Sequence, residues 1–392
     1  MSLKVWIIAG EPSGDRLGAA LMAGLKTLAP DVRFEGVGGA EMSAQGLQSR
    51  FPMEELSIMG LTEVLPRLPG LLARVKECAD AVAQTSPDVL ITIDSPDFCL
   101  RVASKVKSRL PGLKTVHYVA PSVWAWREHR AEKMARSIDH VLALLPFEPP
   151  YMERAGMTCD FVGHPVTTEP LATPTEVEAF RAAYGVENAP LMLVLPGSRR
   201  SEVTRLGTPF GEALRRVCAK HPDLRVVVPT VAGVASAVQD AVRNWPGNPI
   251  VLDPRDVPRD IAARDKRAAF AAADTALAAS GTVSLELAAT KTAMVIAYDM
   301  NWISRQIIAR KLKIDTVTLV NIVTESRVIP EFLGAECQPK AIADALLTLI
   351  DDPQARKTQA EMAELAMKRL GRGGEAPGLR AARSVLNQIS AF

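Results

Sequence analysis

The chain has 392 residues, of which 48% are hydrophobic and 23% are charged. This composition is typical of a folded protein and excludes a disordered one, and the length exceeds what a single core usually supports. The 46 basic and 44 acidic residues give a formal net charge of +2, which is too balanced to indicate nucleic-acid binding by overall charge.

Short apolar runs alternate with amphipathic segments along the whole chain, a pattern typical of βαβ units and parallel sheets. In the first half, six strands are predicted at 3–9, 33–37, 88–93, 114–119, 138–144 and 159–162. In the second half, six more are predicted at 191–195, 225–229, 249–252, 274–278, 293–297 and 316–320. The fold class is therefore predicted to be α/β, with two Rossmann-like, doubly wound domains.

The polar, proline-containing passage 163–174 separates the two sets of strands and indicates a linker. We expect an N-terminal domain at 1–168 and a C-terminal domain at 169–360, facing each other across a cleft. The last segment, 361–392, is predicted to be helical, with an interruption at Gly371-Arg-Gly-Gly374, and to cross back to the first domain.

Five scattered cysteines without a CxxC pair favour reduced thiols in the cytosol over a disulfide framework. The first apolar run is too short for a signal peptide, and no stretch reaches the roughly 18 apolar residues of a spanning helix. The histidines are dispersed without metal-ligand spacing, so no metal site is predicted. We expect an intracellular protein that is soluble or peripheral to a membrane.

Small residues follow the first strand, in the sequence Gly10-Glu-Pro-Ser-Gly-Asp15. Glycine permits tight turns and close approach of a ligand, and a helix beginning near Asp15 would expose unpaired amides. Ser13, Gly14 and Asp15 are therefore candidate substrate-binding residues. The alternative is an ordinary loop in which Asp15 caps a helix.

Two carboxylates follow the third strand, in the sequence Asp94-Ser-Pro-Asp-Phe98. Ligands of open α/β sheets bind at the carboxyl ends of the strands, and a carboxylate there is placed to take a proton from a hydroxyl. We predict that Asp97 is catalytic and that Asp94 is structural. The alternative is that one of them caps a helix starting near Phe98.

An aromatic and basic cluster follows the fourth strand. Indole rings suit the face of a sugar and a guanidinium suits phosphate, so Trp126 and Arg127 are predicted to bind substrate. Core packing is the interpretation we favour for Trp124. Arg127 and Arg130 stand at helical spacing, where contact with an anion and contact with solvent are equally open.

Two loops of the second half are candidate anion sites. In Pro196-Gly-Ser-Arg-Arg200 a glycine turn and Arg199 precede a helix at 201–219, an arrangement that suits a diphosphate. In the second loop, Ser280, Gly281 and Thr282 precede a helix, with Glu286 one turn in and placed for ribose hydroxyls. The alternatives are solvated arginines and a capped core helix.

The segment 56–72 is apolar, contains two prolines and has Arg67, Arg74 and Lys76 beside it. Such a segment suits an exposed patch that enters a bilayer while its basic neighbours meet anionic headgroups. Ordinary core packing is the alternative.

Seven motifs in order along nearly the whole chain resemble those of the lipid-A-disaccharide synthases, bacterial glycosyltransferases of lipopolysaccharide biosynthesis. They are Ala9-Gly-Glu-Pro-Ser-Gly-Asp15, Asp94-Ser-Pro-Asp-Phe98, Pro121-Ser-Val-Trp-Ala-Trp-Arg127, Leu145-Pro-Phe-Glu148, Val162-Gly-His-Pro165, Leu195-Pro-Gly-Ser-Arg199 and Ala279-Ser-Gly-Thr282. The resemblance implies a GT-B fold and an inverting, metal-independent transfer that needs no cofactor. It implies UDP-2,3-diacylglucosamine as donor and 2,3-diacylglucosamine 1-phosphate (lipid X) as acceptor.

The resemblance also implies roles for individual residues. Asp97 matches the family's general base and Arg199 its arginine at the diphosphate, and the second-half loop matches the phosphate and ribose region. Asn321 matches a family asparagine and is a further candidate for substrate binding. Departures from the usual residues stand at Pro12, Cys99 and Val320, and none of them changes a charged group.

The family works at the cytoplasmic face of the inner membrane, so the resemblance implies a peripheral membrane protein with no nucleic-acid partner, and it leaves a homodimer open. Two other functions compete with this one. A UDP-sugar epimerase on the same two-domain scaffold would need no acyl-chain surface and no second sugar. A non-catalytic protein that binds the membrane would leave the carboxylates after the third strand without a purpose.

Overall fold

A computed structural model describes residues 2–56, 61–124, 129–299 and 314–390, with the backbone alone for 61–67 and 390. It divides the chain into two compact units. One comprises Met1–Thr168 with Leu370–Phe392, and the other comprises Glu169–Arg369.

Six parallel strands form the sheet of the first unit, in the order β2-β1-β3-β4-β5-β6. They are β1 (Lys4–Ala9), β2 (Arg33–Val37), β3 (Val89–Ile93), β4 (Lys114–Tyr118), β5 (His140–Ala143) and β6 (Thr158–Phe161). All six predicted strands are confirmed to within two residues at each end. Their near-continuous apolar runs are buried on both faces of the sheet, as parallel strands require.

Helices cover both faces of this sheet. They are α1 (Pro12–Leu28), α2 (Ala40–Ala44), α3 (Leu61–Thr85), α4 (Pro96–Arg109), α5 (His129–Met134) and α6 (Pro149–Arg154). Trp6 and Ile8 of β1 lie in the core cluster with α3 and α4, whereas Val5 and Ile7 lie in the cluster with α1. The helices expected near Asp15 and Phe98 begin three and two residues earlier, because proline fits the first helical turn.

The C-terminal helix of the chain, Pro377–Ser390, packs on α1 in the first unit. Glycines permit the close crossing, since a Cβ at Gly24 would lie 2.6 Å from the carbonyl oxygen of Gly378. A buried polar contact adds to it, because His140 Nε2 and Ser384 Oγ lie 2.7 Å apart. The helix therefore belongs to the hydrophobic core of a unit that begins nearly 380 residues earlier in the chain.

The second unit has its own six-stranded parallel sheet, in the order β12-β11-β10-β7-β8-β9. Its strands are β7 (Leu191–Leu195), β8 (Arg225–Pro229), β9 (Ile250–Leu252), β10 (Thr275–Ala278), β11 (Ala293–Tyr298) and β12 (Glu331–Leu333). Five of the six predicted strands are confirmed. Its helices are α7 (Pro174–Ala183), α8 (Arg200–Lys220), α9 (Ala235–Val242), α10 (Arg259–Ala272), α11 (Val283–Ala289), α12 (Leu319–Thr324), α13 (Pro339–Asp351) and α14 (Pro353–Arg369), so the C-terminal helix is α15.

The strand predicted at 316–320 is wrong, because residues 319–324 form helix α12 and the sixth strand lies at 331–333. The reason is a side chain. Glu331 accepts hydrogen bonds from the backbone amides of Val317 and Thr318, at 3.0 and 3.1 Å, where a neighbouring strand would otherwise serve. An apolar run of this length does not by itself distinguish a strand from a short helix.

Candidate active site

The loops after β1 and β3 touch at the carboxyl edge of the first sheet, which we call the first-sheet edge and which comprises residues 10–13, 94–97, 119–124 and 145–148. A Cβ at Gly10 would lie 2.7 Å from Ser95 Oγ and 3.0 Å from Ser95 Cβ, so glycine allows this approach without a shift of the serine side chain. Ser13 donates a long hydrogen bond to Asp94 (3.5 Å), and Ser95 donates one to Glu11 (3.4 Å). The two loops thus form one continuous polar surface.

The backbone is strained where β3 and β4 reach this edge. Asp94 and Ser95 have φ of 51° and 41°, and Val119 has φ of 84°. A positive φ is rare for any residue with a side chain, and for a β-branched valine it is an outlier that costs about 1–3 kcal/mol. Strain of this kind persists where the surrounding structure fixes it and is concentrated at functional sites.

Asp97 is the second residue of α4, and its side chain is exposed at the first-sheet edge. Within the described part of the chain, its carboxylate has no hydrogen bond and no ion pair. Both of its oxygens are therefore available to accept a proton or a hydroxyl from a ligand. Asp94, in contrast, is half-buried and receives the hydroxyl of Ser13.

Asp15 is only 4% exposed, and its carboxylate is used inside the protein. It accepts hydrogen bonds from the amides of Gly39, Glu41 and Met42 at 2.8, 2.9 and 3.1 Å. Asp15 thus caps α2 rather than its own helix. Gly14 is also buried, so Ser13 alone of the three predicted substrate-binding residues in this loop has an exposed side chain.

Trp124 is anchored by a glutamate that the sequence analysis did not select. Glu148 accepts the indole N–H of Trp124 at 3.3 Å and the amide of Leu145 at 3.0 Å. The Trp124 ring also stands edge-on to Phe147, with centroids 5.2 Å apart. The sequence signal that could have pointed to Glu148 was the motif Leu145-Pro-Phe-Glu148. The two predicted sugar contacts, Trp126 and Arg127, lie outside the described residues.

At the second sheet, Glu202 shapes the loop that carries Arg199. Its carboxylate accepts the amides of Ser198 (3.0 Å) and Arg199 (3.2 Å) and the guanidinium of Arg199 (3.0 Å). Gly197 has φ of 119°, and a Cβ there would lie 2.5 Å from Glu202. The Arg199 side chain remains 64% exposed, so most of its donors face outward. Sequence reasoning did not select Glu202, because its partners are mostly backbone amides.

The loop 280–282 follows β10 in the same sheet. Gly281 has φ of 153° and open space around it, and Thr282 is exposed. Glu286, in α11, is paired with Lys266, with 2.5 Å between its Oε2 and the lysine Nζ. Helix α11 has only seven residues, so the hydroxyls of Ser280 and Thr282 matter more here than the amides at the start of the helix.

Asn321 does not present its side chain to a ligand. It is 1% exposed, and its Nδ2 donates to the Ile329 carbonyl and to Glu331, both at 2.9 Å. Its Oδ1 accepts the Ile329 amide at 3.0 Å. These contacts fold the segment before β12, so any influence of Asn321 on a substrate is indirect.

The apolar segment 56–72 is described only in part. Leu68 and Leu72 stand one turn apart on α3, and their side chains are 38% and 44% exposed. Arg74 is not available to headgroups as the sequence analysis expected, because its guanidinium contacts Glu55 (2.8 Å) and Glu77 (2.7 Å). In the described residues, no helix is long and apolar enough to cross a membrane.

Comparison with known proteins identifies the family. The family model for lipid-A-disaccharide synthetase matches residues 5–376. The chain belongs to this family. The lipid-A-disaccharide synthase of Ruegeria pomeroyi is 62% identical over 387 residues, which cover 99% of this chain and 96% of the relative. The family resemblance drawn from the seven motifs is therefore confirmed.

Solved structures show the fold. UDP-N-acetylglucosamine 2-epimerase from Neisseria meningitidis, bound to UDP-GlcNAc, aligns with a TM-score of 0.63 and 12% identity, covering 99% of this chain and 98% of that one. Anabaena HepE in complex with UDP and glucose aligns with a TM-score of 0.58 and 13% identity over the whole of both chains. The predicted α/β class of GT-B type is confirmed. At these identities the likeness concerns the fold alone.

Proposed function

We propose that this chain transfers 2,3-diacylglucosamine from its UDP derivative to the 6-hydroxyl of 2,3-diacylglucosamine 1-phosphate. The products are the β-1,6-linked disaccharide 1-phosphate and UDP. The observation that carries this proposal is the family match over residues 5–376, which includes every loop of both sheet edges. Strained backbone and the exposed carboxylate of Asp97, which has no partner among the described residues, support a catalytic role for the first-sheet edge.

The first unit binds the acceptor in this proposal, and Asp97 removes the proton from its 6-hydroxyl. A base of this kind must accept a proton within hydrogen-bond reach, and the exposed carboxylate of Asp97, unpaired within the described ranges, suits that task. Attack from the face opposite UDP inverts the anomeric centre. Ser13 supplies a neighbouring hydroxyl for the acceptor. Gly14 and Asp15 are buried and support the loop, Asp15 through its hydrogen bond from the Gly39 amide.

The second unit binds the nucleotide, with the guanidinium of Arg199 at the diphosphate. Negative charge develops on UDP only as the glycosidic bond breaks, so a fixed cation there accelerates turnover more than it strengthens binding. Ser280, Gly281 and Thr282 offer hydroxyl and amide donors to the phosphates, and Glu286 accepts from the ribose. Arg199 supplies the charge stabilisation that a divalent ion provides in other transferases, so the proposed transfer is metal-independent.

The enzyme in this proposal works at the cytoplasmic face of the inner membrane as a peripheral protein. Leu68 and Leu72 are exposed side by side on α3 and suit contact with acyl chains. The side chain of Arg67 lies outside the described part of the chain, and Arg74 is paired with two glutamates. Of the basic neighbours whose side chains are described, Lys76 is exposed on α3 and would attract anionic headgroups.

The test combines purified protein with both acylated sugars in excess EDTA and detects UDP and disaccharide by mass spectrometry. Formation of both products in equal amounts is expected. A second reaction contains UDP-N-acetylglucosamine alone, and its epimerisation without disaccharide formation would establish the epimerase alternative. Binding to liposomes without release of UDP would establish the non-catalytic one. Strict dependence on added magnesium would contradict the role given to Arg199.

A further inference from the structure

Glu148 connects two loops of the first-sheet edge that are distant in sequence. It ends the loop after β5, and α6 begins at the next residue. One carboxylate oxygen, Oε2, accepts the amide of Leu145 from its own loop, at 3.0 Å. The other, Oε1, accepts the indole N–H of Trp124 from the loop after β4, at 3.3 Å. Trp124 and Phe147 pack edge to face beside this contact.

Both oxygens of Glu148 thus receive an N–H, an arrangement that only the ionised carboxylate satisfies in full. A proton on either oxygen makes that oxygen a donor and a poorer acceptor, so its contact with the facing N–H is weakened. The Leu145 amide belongs to the four-residue turn 145–148, which a hydrogen bond from the Glu148 amide to the Leu145 carbonyl closes, and it makes the shorter bond to the carboxylate. The indole of Trp124, on a separate loop, is therefore the partner that is released.

The surroundings of Glu148 make this proton exchange accessible near neutral pH. The residue is 3% exposed, and burial raises its pKa to about 7, against the opposing effect of its N–H donors. Of the other titratable side chains that the structure describes, Cys159 on β6 interacts with Glu148. Burial and the charge of Glu148 raise the pKa of the Cys159 thiol, so this thiol stays neutral and adds no charge beside Glu148.

We propose that Glu148 is a positioning residue whose ionised carboxylate keeps the Trp124 side chain in the orientation that binds the acceptor sugar. Protonation of Glu148 releases Trp124 and weakens acceptor binding. This inference rests on the proposed function for its effect on activity. The contact between Glu148 and Trp124 does not depend on it.

The first test measures steady-state kinetics against acceptor from pH 5.5 to 8.5 for Glu148→Gln and for the matched control Glu153→Gln. Glu153 is exposed on α6, five residues away. Glutamine imitates the protonated acid. For the wild type and the control, acceptor kcat/KM is expected to fall about tenfold from pH 8 to pH 6, mostly through KM, as the ionised fraction of a group titrating near 7 falls. Glu148→Gln is expected to have, at every pH in this range, the low acceptor kcat/KM that the wild type has at pH 6, because its KM for the acceptor is raised.

The second test follows Trp124 itself, first by fluorescence without turnover and then through the acceptor KM of a Trp124 variant. Trp124→Phe keeps an aromatic ring beside Phe147 but removes the N–H. The tryptophan fluorescence of the wild type is titrated without substrate, and that of Trp124→Phe is subtracted. A transition near pH 7 in this difference is expected, and Trp124→Phe is expected to have the raised acceptor KM of the Gln variant already at pH 8.

The outcomes separate the two proposals. If no disaccharide forms but the fluorescence transition is present near pH 7, the proposed function fails and the positioning of Trp124 stands. If the fluorescence difference is flat from pH 5.5 to 8.5, or if Glu148→Gln has the pH profile of the wild type, Glu148 does not position Trp124 and the inference is overturned.

Discussion

Glu202 binds Arg199 twice, through the backbone amide at 3.2 Å and through the guanidinium at 3.0 Å. The carboxylate is almost fully buried, whereas the Arg199 side chain is largely exposed. One acid at the start of α8 therefore fixes both the backbone and the direction of the arginine proposed to meet the diphosphate. A preorganised donor of this kind needs no rearrangement when charge develops on the leaving group.

Replacing Glu202 by Gln is expected to lower kcat about tenfold, because an amide cannot accept all three N–H donors and leaves Arg199 free to turn. Arg199→Ala is expected to cost about 10²–10³ in kcat, the usual effect of removing one transition-state donor. In the double variant, Glu202→Gln should add little, since it acts through Arg199. Glu212→Gln, at an exposed position of α8, is the control and should leave kcat unchanged. Additive losses in the double variant would contradict this account.

Gly197→Ala is expected to destabilise the second unit and weaken UDP binding. Its φ of 119° is strained for any residue with a side chain, and the new Cβ would lie 2.5 Å from the Glu202 carboxylate. Strain of this kind costs about 1–3 kcal/mol. Gly233→Ala has open space around the new Cβ and should match the wild type. Urea unfolding and UDP titration by calorimetry measure the two effects, and equal behaviour of the two variants would refute the role of Gly197.

Asp15→Asn is expected to lower the free energy of unfolding by about 1–3 kcal/mol. The NH2 group of the asparagine would face backbone N–H groups that now donate hydrogen bonds to the carboxylate. The three amides at the start of α2 lose their shared acceptor. Asp31→Asn, at an exposed position, serves as the matched control in urea unfolding. If both variants unfold like the wild type, Asp15 does not fix this loop.

Stability is expected to fall in mild acid because of His117. The residue is fully buried beside Thr92, and burial lowers its pKa from 6.5 to about 4. A group with a lowered folded pKa stabilises the fold above the unfolded pKa, and this contribution is lost as pH falls from 6.5 towards 4. Between pH 7.5 and pH 5 the loss is about 2 kcal/mol.

His117→Gln should lack that part of the pH dependence, whereas a variant of the exposed His129 should retain it. Urea unfolding at the two pH values measures both. Glu148 acts in the opposite sense, since its raised pKa stabilises the fold below pH 4.5 and that contribution is lost as pH rises through 7. The difference between His117→Gln and the wild type at each pH therefore isolates the histidine, and an equal fall in both proteins would rule it out as the cause.

The strands were predictable because their physical signal is local. Buried parallel strands are apolar runs bounded by turns, as Val89–Ile93 and Leu191–Leu195 illustrate. The segment 316–320 has the same local appearance. Its conformation depends on Glu331, a residue more than ten positions later that accepts its backbone amides. The periodicity of apolar residues does not indicate a partner so distant in sequence.

Part of the candidate site was also predictable from local sequence. Asp97 and Arg199 follow strands, and topology alone places such residues at a sheet edge. The acids that organise the edges, Glu148 and Glu202, bind amides and indoles that only folding brings near. Asn321 was predicted to bind substrate from its motif, yet its amide is used within the protein.

The most direct test of the central claim is the single-turnover rate of purified Asp97→Ala with both acylated sugars at saturation. A loss of at least ~100-fold, the usual scale for a general base, is predicted, with UDP binding and urea unfolding unchanged. A rate near that of the wild type would remove Asp97 from the reaction and contradict the mechanism proposed for this enzyme.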